Sequence, residues 1–441
     1  MEPHEDLTVC TIRKNINKKL TIDIMRKPHY EFKVGVVGLG YVGMPLACLF
    51  SKKYDTIGYD INPNKIALLE NVKISEDKTL ARALAQGLRL TSNIADLKDC
   101  NVYIIAVPTP VHENNKPDTS CVCNATRAIA NLLKEGDIVI YESTVYPGLT
   151  EEVCAPMLEK NSGLKYNHDF FVGFSPERIN PGDKVHTIEN ITKVTSGSTP
   201  EIAEIIDSLY NSVLTNGTYK APNIRTAEAC KIMENCQRDV QIAFFNEFQR
   251  IFDKMGIDLE EVTKAASTKW NFVPATPGLV GGHCIAVDPY YMIEKAREAG
   301  VNPSLLATAR NVNETMSQWL ADKIKVAADQ RKMDPTMTNV LILGFSFKPD
   351  SDDIRNTKVA DLYHHLVKMG YPVTIYDPLV DVNKVEQEYH IHVTGEQRVL
   401  VNRYDVVVVG TRHSLFKSID VKHLLTDKGF VCDIDGIHAD L

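Results

Sequence analysis

Cys284 follows two glycines in the run Val280-Gly281-Gly282-His283-Cys284-Ile285-Ala286-Val287-Asp288-Pro289-Tyr290, and Asp288 comes four residues after it. Glycines let a backbone approach a ligand closely, so a thiol at this place is presented to whatever binds there. Lys231 and Asn235 stand at i and i+4 in a helical pattern and so share one face. A cation near a thiol favours the thiolate, the reactive nucleophile. Nucleophilic catalysis by Cys284 is one reading of these four residues; a small buried core thiol is the other.

A second chemical signal lies near the start. Val34, Val36 and Val37 read as a short buried strand, followed at once by Gly38-Leu39-Gly40-Tyr41-Val42-Gly43 and by a helical pattern through Met44, Leu46, Ala47, Leu49 and Phe50. A second strand, Thr56 to Tyr59, ends at Asp60, 22 residues after Gly38. Strand, glycine turn, helix, strand and acid in that order describe a dinucleotide site. The turn brings backbone N–H groups to a pyrophosphate at the helix N-terminus, and Asp60 accepts from the adenosine ribose 2′-hydroxyl while repelling a 2′-phosphate. NAD is expected over NADP. Lys65, five residues past Asp60, joins Tyr41 and Val42 among the expected cofactor contacts.

These groups need elements to carry them. Val102 to Val107 and Ile138 to Tyr141 read as further strands, and Pro108-Thr109-Pro110 and Glu142-Ser143-Thr144-Val145-Tyr146-Pro147-Gly148 fall at their carboxyl ends, where open parallel sheets bind ligands. From Thr226 to Lys254 a helical pattern runs without Pro or Gly and carries Lys231 and Asn235. Its apolar stripe includes Ile232, Met233, Cys236, Phe244, Phe248 and Ile251, and Asp258 with Glu261 resembles a capping box opening the next helix. A second α/β unit begins near Asn339: a strand from Val340 to Leu343, the loop Gly344 to Asp350, a helix from Thr357 to Met369, and a strand from Val373 to Tyr376 ending at Asp377. Strands at Val406 to Val409 and Phe430 to Asp433 complete its sheet.

Length and composition agree with this plan. The 441 residues suffice for two or three domains, and 44% hydrophobic with 24% charged residues is ordinary globular usage. A net charge of -8 leaves no basic field for nucleic acid. No apolar run approaches the roughly 20 residues of a membrane span, and the opening stretch lacks an apolar signal core. Ten cysteines without CxxC pairs suggest neither a disulfide framework nor a metal site, which suits a cytoplasmic protein.

The motifs GLGYVG, ESTVYPG, SPERINPG, the Lys231/Asn235 helix, GLVGGHCIAVDPYY and LGFSFKPDSDDIRN occur in the order found in nucleotide-sugar 6-dehydrogenases. From Lys33 onward the chain resembles the UDP-glucose/GDP-mannose dehydrogenase family. The resemblance implies an α/β fold of two Rossmann-like doubly wound domains joined by a central helical region with a long connecting helix. Its expected parts are an N-terminal extension (1–32), an NAD-binding domain (33–225), a central dimerisation domain with the cysteine loop (226–325) and a UDP-sugar-binding domain (326–441).

The same resemblance implies a four-electron oxidation by two NAD of a sugar C6 alcohol to the carboxylate, through a thiohemiacetal and a thioester on Cys284. Lys231 and Asn235 then stabilise negative charge on oxygen, and Asp288 orients water or assists proton transfer. Thr144 lies near a catalytic water and the cofactor, and Glu177 serves thioester hydrolysis. Pro108 and Thr109 contact NAD; Glu177, Arg178, Lys231, Gly281, Lys348 and Arg355 contact the nucleotide sugar. Glucose-specific members carry a second glutamate four residues beyond Glu177, where this chain has Pro181. The stretch Ser267 to Phe272 and the form GLVGGHC resemble members acting on UDP-N-acetylglucosamine or UDP-N-acetylgalactosamine, which implies supply of a surface-polysaccharide precursor and a homodimer paired through the central helix. UDP-N-acetylmannosamine and UDP-glucose are the alternative substrates. A small 2-hydroxy acid or 3-hydroxyacyl dehydrogenase would share the first domain but need no second nucleotide-sized domain. A silent nucleotide-sugar binding protein would keep the clefts without the nucleophile.

Overall fold

The computed structural model describes residues 31–73, 77–179, 185, 187–434 and 436–438. The extension expected over 1–32 therefore lies almost wholly outside the described residues. Compactness divides the chain into two units: residues to Met233 with Tyr290–Lys295, and Glu234–Pro289 with Ala296 onward. The division falls inside one helix.

The first unit is built on six parallel strands, β1 (Lys33–Val37), β2 (Asp55–Tyr59), β3 (Arg89–Thr91), β4 (Val102–Ile105), β5 (Ile138–Tyr141) and β6 (Phe171–Phe174), in the order β3-β2-β1-β4-β5-β6. β4, β5 and β6 are apolar and wholly buried, as strands covered on both faces must be. The strand expected through Val107 stops at Ile105, because Pro108 supplies no N–H to extend the ladder. β1 and β4 are neighbours, so the chain order reverses between them. That reversal opens a crevice at their carboxyl ends, where the Gly38 turn and the Pro108-Thr109 loop both lie. A separate parallel pair joins β7 (Lys193–Thr195) to β8 (Thr218–Lys220).

The second unit repeats the plan with β9 (Val340–Leu343), β10 (Val373–Tyr376), β11 (Val393–Thr394), β12 (Tyr404–Val409), β13 (Leu425–Asp433) and β14 (Gly436–His438), in the order β11-β10-β9-β12-β13-β14. Only the last pair, β13 and β14, is antiparallel. Its helix Lys358–Lys368 starts under a cap from Thr357, whose side chain receives the Val359 N–H.

The long helix runs over Ile224–Met255, 32 residues and about 48 Å at 1.5 Å per residue. Its apolar residues do not form the single stripe expected. Ile232, Cys236 and Ala243 are buried, whereas Met233, Phe244, Ile251 and Met255 are 75, 53, 42 and 62% exposed. At about 100° per residue those four fall within roughly 40° of one another on a second face. Asp258 caps the next helix by accepting the N–H groups of Glu260 and Glu261, and the Glu261 side chain pairs with Lys264 rather than closing a capping box.

Candidate active site

In the first unit the sites expected from sequence gather along the carboxyl edge of the sheet. Gly38 has φ +92°, and a Cβ on Gly43 would stand 1.7 Å from the Gly38 carbonyl oxygen, so the turn closes only on glycine. Gly40 is the opposite case: nothing lies within 4 Å of its Cβ position, which leaves the room a pyrophosphate needs at the N-terminus of the helix Gly43–Phe50. Asp60 takes the Leu39 N–H at 3.0 Å and Lys65 Nζ at 2.6 Å on Oδ2, and the Asn62 N–H at 3.1 Å on Oδ1. Burial works against its charge, but these donors win and hold its carboxyl below the ordinary aspartate range. Lys65 is thus placed on Asp60. The glycine cradle and the ionised Asp60 fit NAD.

Ser143 ties the next two loops together, donating its hydroxyl to the Val107 carbonyl at 2.7 Å. Thr109 is buried, Thr144 half-buried and Pro108 exposed. Glu228, three residues before Lys231 on the long helix, receives the N–H groups of Gly148 and Thr150 at 2.6 and 3.0 Å. Burial nevertheless pushes its carboxyl up to about 7. Glu177 is buried; its Oε1 takes the N–H groups of Arg178 and Ile179, and its Oε2 has no hydrogen-bond partner among the described residues. Arg178 reaches the Thr192 carbonyl through Nη1. Pro181 lies outside the described residues.

In the second unit Cys284 sits on the turn leading into the helix Asp288–Glu298, and its carbonyl accepts the Asp288 N–H at 2.8 Å. A helix N-terminus favours an anion, hence a thiolate. Among the nine described cysteines Cys284 is the exposed one. Burial lifts the thiols of Cys100, Cys154 and Cys236 to about 12, so they are inert. Asn235 donates its side-chain amide to Asp288 Oδ2, and both residues are buried. Lys231, one turn before Asn235 on the same helix, falls within the first unit and is buried too.

The cysteine turn is fixed by the loop that follows β9. The Gly282 N–H donates to the Arg355 carbonyl at 3.1 Å, and Asn356 Nδ2 donates to the Gly282 carbonyl at 3.1 Å. A Cβ on Gly282 would strike the Phe347 ring at 2.7 Å. Arg355 grips Asp353 with two nitrogens, Nε at 2.9 Å and Nη2 at 2.6 Å, and Ser346 Oγ holds the Lys348 carbonyl at 2.9 Å. His283 was not singled out from sequence; burial first, then Arg355, lowers its imidazole below the usual range and keeps a neutral ring beside Cys284.

Comparison with known proteins finds three matches along the chain. Residues 32–214 match the NAD binding domain of the UDP-glucose/GDP-mannose dehydrogenase family, 225–315 its central domain and 341–439 its UDP binding domain. UDP-N-acetyl-D-glucosamine 6-dehydrogenase of Pseudomonas aeruginosa is 47% identical, over 92% of this chain and 98% of that protein. The Salmonella typhi enzyme of the same name is 44% identical, over 92% and 96%. The solved UDP-D-ManNAc dehydrogenase of Pyrococcus horikoshii superposes with a TM-score of 0.83 at 31% identity, covering 91% of this chain and 95% of that one. Three domain matches in succession along one chain settle the family: this protein is an NAD-dependent dehydrogenase belonging to the UDP-glucose/GDP-mannose dehydrogenase family.

Proposed function

We propose that the protein oxidises the C6 hydroxymethyl group of UDP-N-acetylglucosamine to a carboxylate, in two two-electron steps, by way of an adduct on Cys284. NAD, when bound, is the electron acceptor of each oxidation. Cys284 carries the reading, because an exposed thiol at a helix N-terminus stands apart from eight buried or half-buried ones. Its thiolate adds to the aldehyde left by the first oxidation and retains it as a thiohemiacetal, so the aldehyde does not leak. The second oxidation leaves a thioester, which water cleaves.

Lys231 and Asn235 stabilise negative charge on the C6 oxygen, and Asn235 also holds Asp288, which orients water or assists proton transfer. Thr144 lies near that water, and Glu177 accepts its proton. The charges of Lys348 and Arg355 suit a diphosphate, with Gly281 and Arg178 as further contacts of the nucleotide sugar. Residues 33–225 hold NAD, 226–325 carry the cysteine loop and the dimer contact, and 326–441 hold the nucleotide. The second apolar face of the long helix supports a homodimer. We place the enzyme in the cytoplasm, supplying a precursor of surface polysaccharide.

The N-acetylglucosamine choice is supported by the names of the two relatives at 47 and 44% identity. Initial rates with UDP-N-acetylglucosamine, UDP-N-acetylgalactosamine, UDP-N-acetylmannosamine and UDP-glucose test it. The highest kcat/KM is expected for UDP-N-acetylglucosamine; a larger value for any other sugar would overturn the choice.

A further inference from the structure

Lys193, the first residue of β7, is only 1% exposed. A buried ammonium is costly and needs a reason. Its Nζ donates to Glu142 Oε2 at 2.7 Å and to the Pro176 carbonyl at 2.9 Å, and stands 3.7 Å from Glu177 Oε2. The Tyr210 hydroxyl, from the helix Pro200–Asn211, donates to the other oxygen of Glu142. Two carboxyl groups therefore share one cation. Glu142 is satisfied on both oxygens; Glu177 is satisfied on Oε1 alone and keeps a buried Oε2 with no hydrogen-bond partner among the described residues. A carboxylate oxygen with a cation nearby and no donor on it is one prepared to receive a hydrogen bond from water.

We propose that Lys193 is a positioning residue for thioester hydrolysis: anchored by Glu142 and the Pro176 carbonyl, its ammonium holds the Glu177 carboxyl with Oε2 ready to take a proton from the attacking water. This rests on the thioester reading above. In the step, the water oxygen bonds to the C6 carbonyl carbon and the C6–Sγ bond breaks with its electron pair passing to Cys284. The water proton goes to Glu177 Oε2, and the acid product then ionises. Nothing is oxidised or reduced.

The electrostatics agree with the geometry. Burial carries the Glu142 carboxyl up to about 7; Lys193 opposes that rise and Glu177 adds to it. Among the described residues Lys193 faces Glu142 after β5, Glu177 after β6 and Tyr210, whose ring lies 5.6 Å from Nζ. Arg178, next to Glu177, turns its guanidinium to the Thr192 carbonyl. Glu142 and Glu177 are thus coupled through the ammonium they share.

The test is stopped-flow NADH formation by the full chain with UDP-N-acetylglucosamine and excess NAD. Lys193→Met is expected to give a burst of about two NADH per active site, then turnover on the order of 100-fold slower than wild type, with the thioester visible on Cys284 by intact mass. Lys193→Arg is expected to restore turnover. A burst and a steady rate that fall together would overturn the proposal. Glu142→Gln decides the matter if Lys193→Met does not fold: with one carboxylate gone, the acid limb of the kcat profile is expected to move to lower pH, and no movement or a rise would overturn it. If the wild type itself yields one NADH per sugar, the thioester reading fails instead, and the two failures are told apart.

Discussion

Asp60 and Asp377 hold the same station in two sheets of the same strand order, and only one of them is left for a ligand. Each follows the strand paired to the first strand of its sheet, β2 to β1 and β10 to β9. Each Oδ1 takes the N–H of the residue two places on, Asn62 for Asp60 and Leu379 for Asp377, but the Asp60 side chain keeps 11% exposure and so an open side for a ligand. Asp377 is fully buried, and its Oδ2 receives the N–H groups of Phe345 and Ser346 at 2.7 and 3.2 Å and His413 Nε2 at 3.1 Å. His413 Nδ1 accepts the Asp350 N–H at 2.9 Å, so the proton is on Nε2 and the imidazole closes the carboxylate off. The second sheet keeps the architecture and turns its acid into a latch for the loop bearing Lys348.

Asp60 therefore sets cofactor choice. Asp60→Ala removes the ribose acceptor and also releases Lys65, whose ammonium then suits a 2′-phosphate. We expect kcat/KM for NAD to fall about tenfold or more and the NADP/NAD ratio to rise. A wild-type preference for NADP, or an unchanged ratio in the variant, would remove Asp60 from this role.

Cys284→Ser and Asp288→Asn separate binding from chemistry. The cofactor cradle is built from Gly38 to Asp60, so both variants are expected to bind NAD as wild type does in a fluorescence titration. Cys284→Ser loses sustained turnover; Asp288→Asn turns an acceptor facing Asn235 into an amide and lowers kcat by roughly 100-fold. Full turnover in either variant would dismiss that residue from the mechanism.

Glu228 predicts a pH dependence of stability. Its carboxyl is raised in the fold to about 7, above the 4.5 of the unfolded chain, so the stability it contributes is present below about 4.5 and lost as pH rises through 7. Glu228→Gln also leaves one of the two backbone donors facing an amide N–H, at a cost of about 1–3 kcal/mol. Thermal unfolding is expected to show the variant's deficit largest near pH 5 and shrinking above pH 7. A deficit that grows with pH would mean that Glu228 is ionised throughout.

The outward face of the long helix predicts assembly. Light scattering is expected to give twice the 49.3 kDa chain mass, and Phe244→Asp, which places a charge amid Met233 and Ile251, is expected to return it to the monomer. A fully active wild-type monomer would show that this face is not an interface.

Much of this was legible in the sequence. Ile138–Tyr141, Val340–Leu343 and Val373–Tyr376 are the strands expected: the first two are buried throughout and read as unbroken apolar runs, and the third, half-buried at Val373 and Thr374, reads as a strand from its β-branched residues. The long helix extends the expected Thr226 to Lys254 by two residues at its start and one at its end. Arg89–Thr91 and the β7/β8 pair escaped notice: each is three residues long and carries charge or Thr, too short for any period. Lys193 was invisible for a deeper reason. In Lys193-Val194-Thr195 it reads as a solvated strand end, and its burial is decided by Glu142, 51 residues earlier in the chain. The two faces of the long helix also needed coordinates, since sequence shows apolar residues but not what covers them.

The central claim is that one active site carries out two oxidations on a carbon held by Cys284, and the stoichiometry of product formation tests it most directly. With a limiting amount of UDP-N-acetylglucosamine and excess NAD, the reaction run to completion is expected to yield two NADH per sugar and the uronic acid by mass spectrometry. One NADH per sugar, with a free aldehyde or ketone as product, would contradict it.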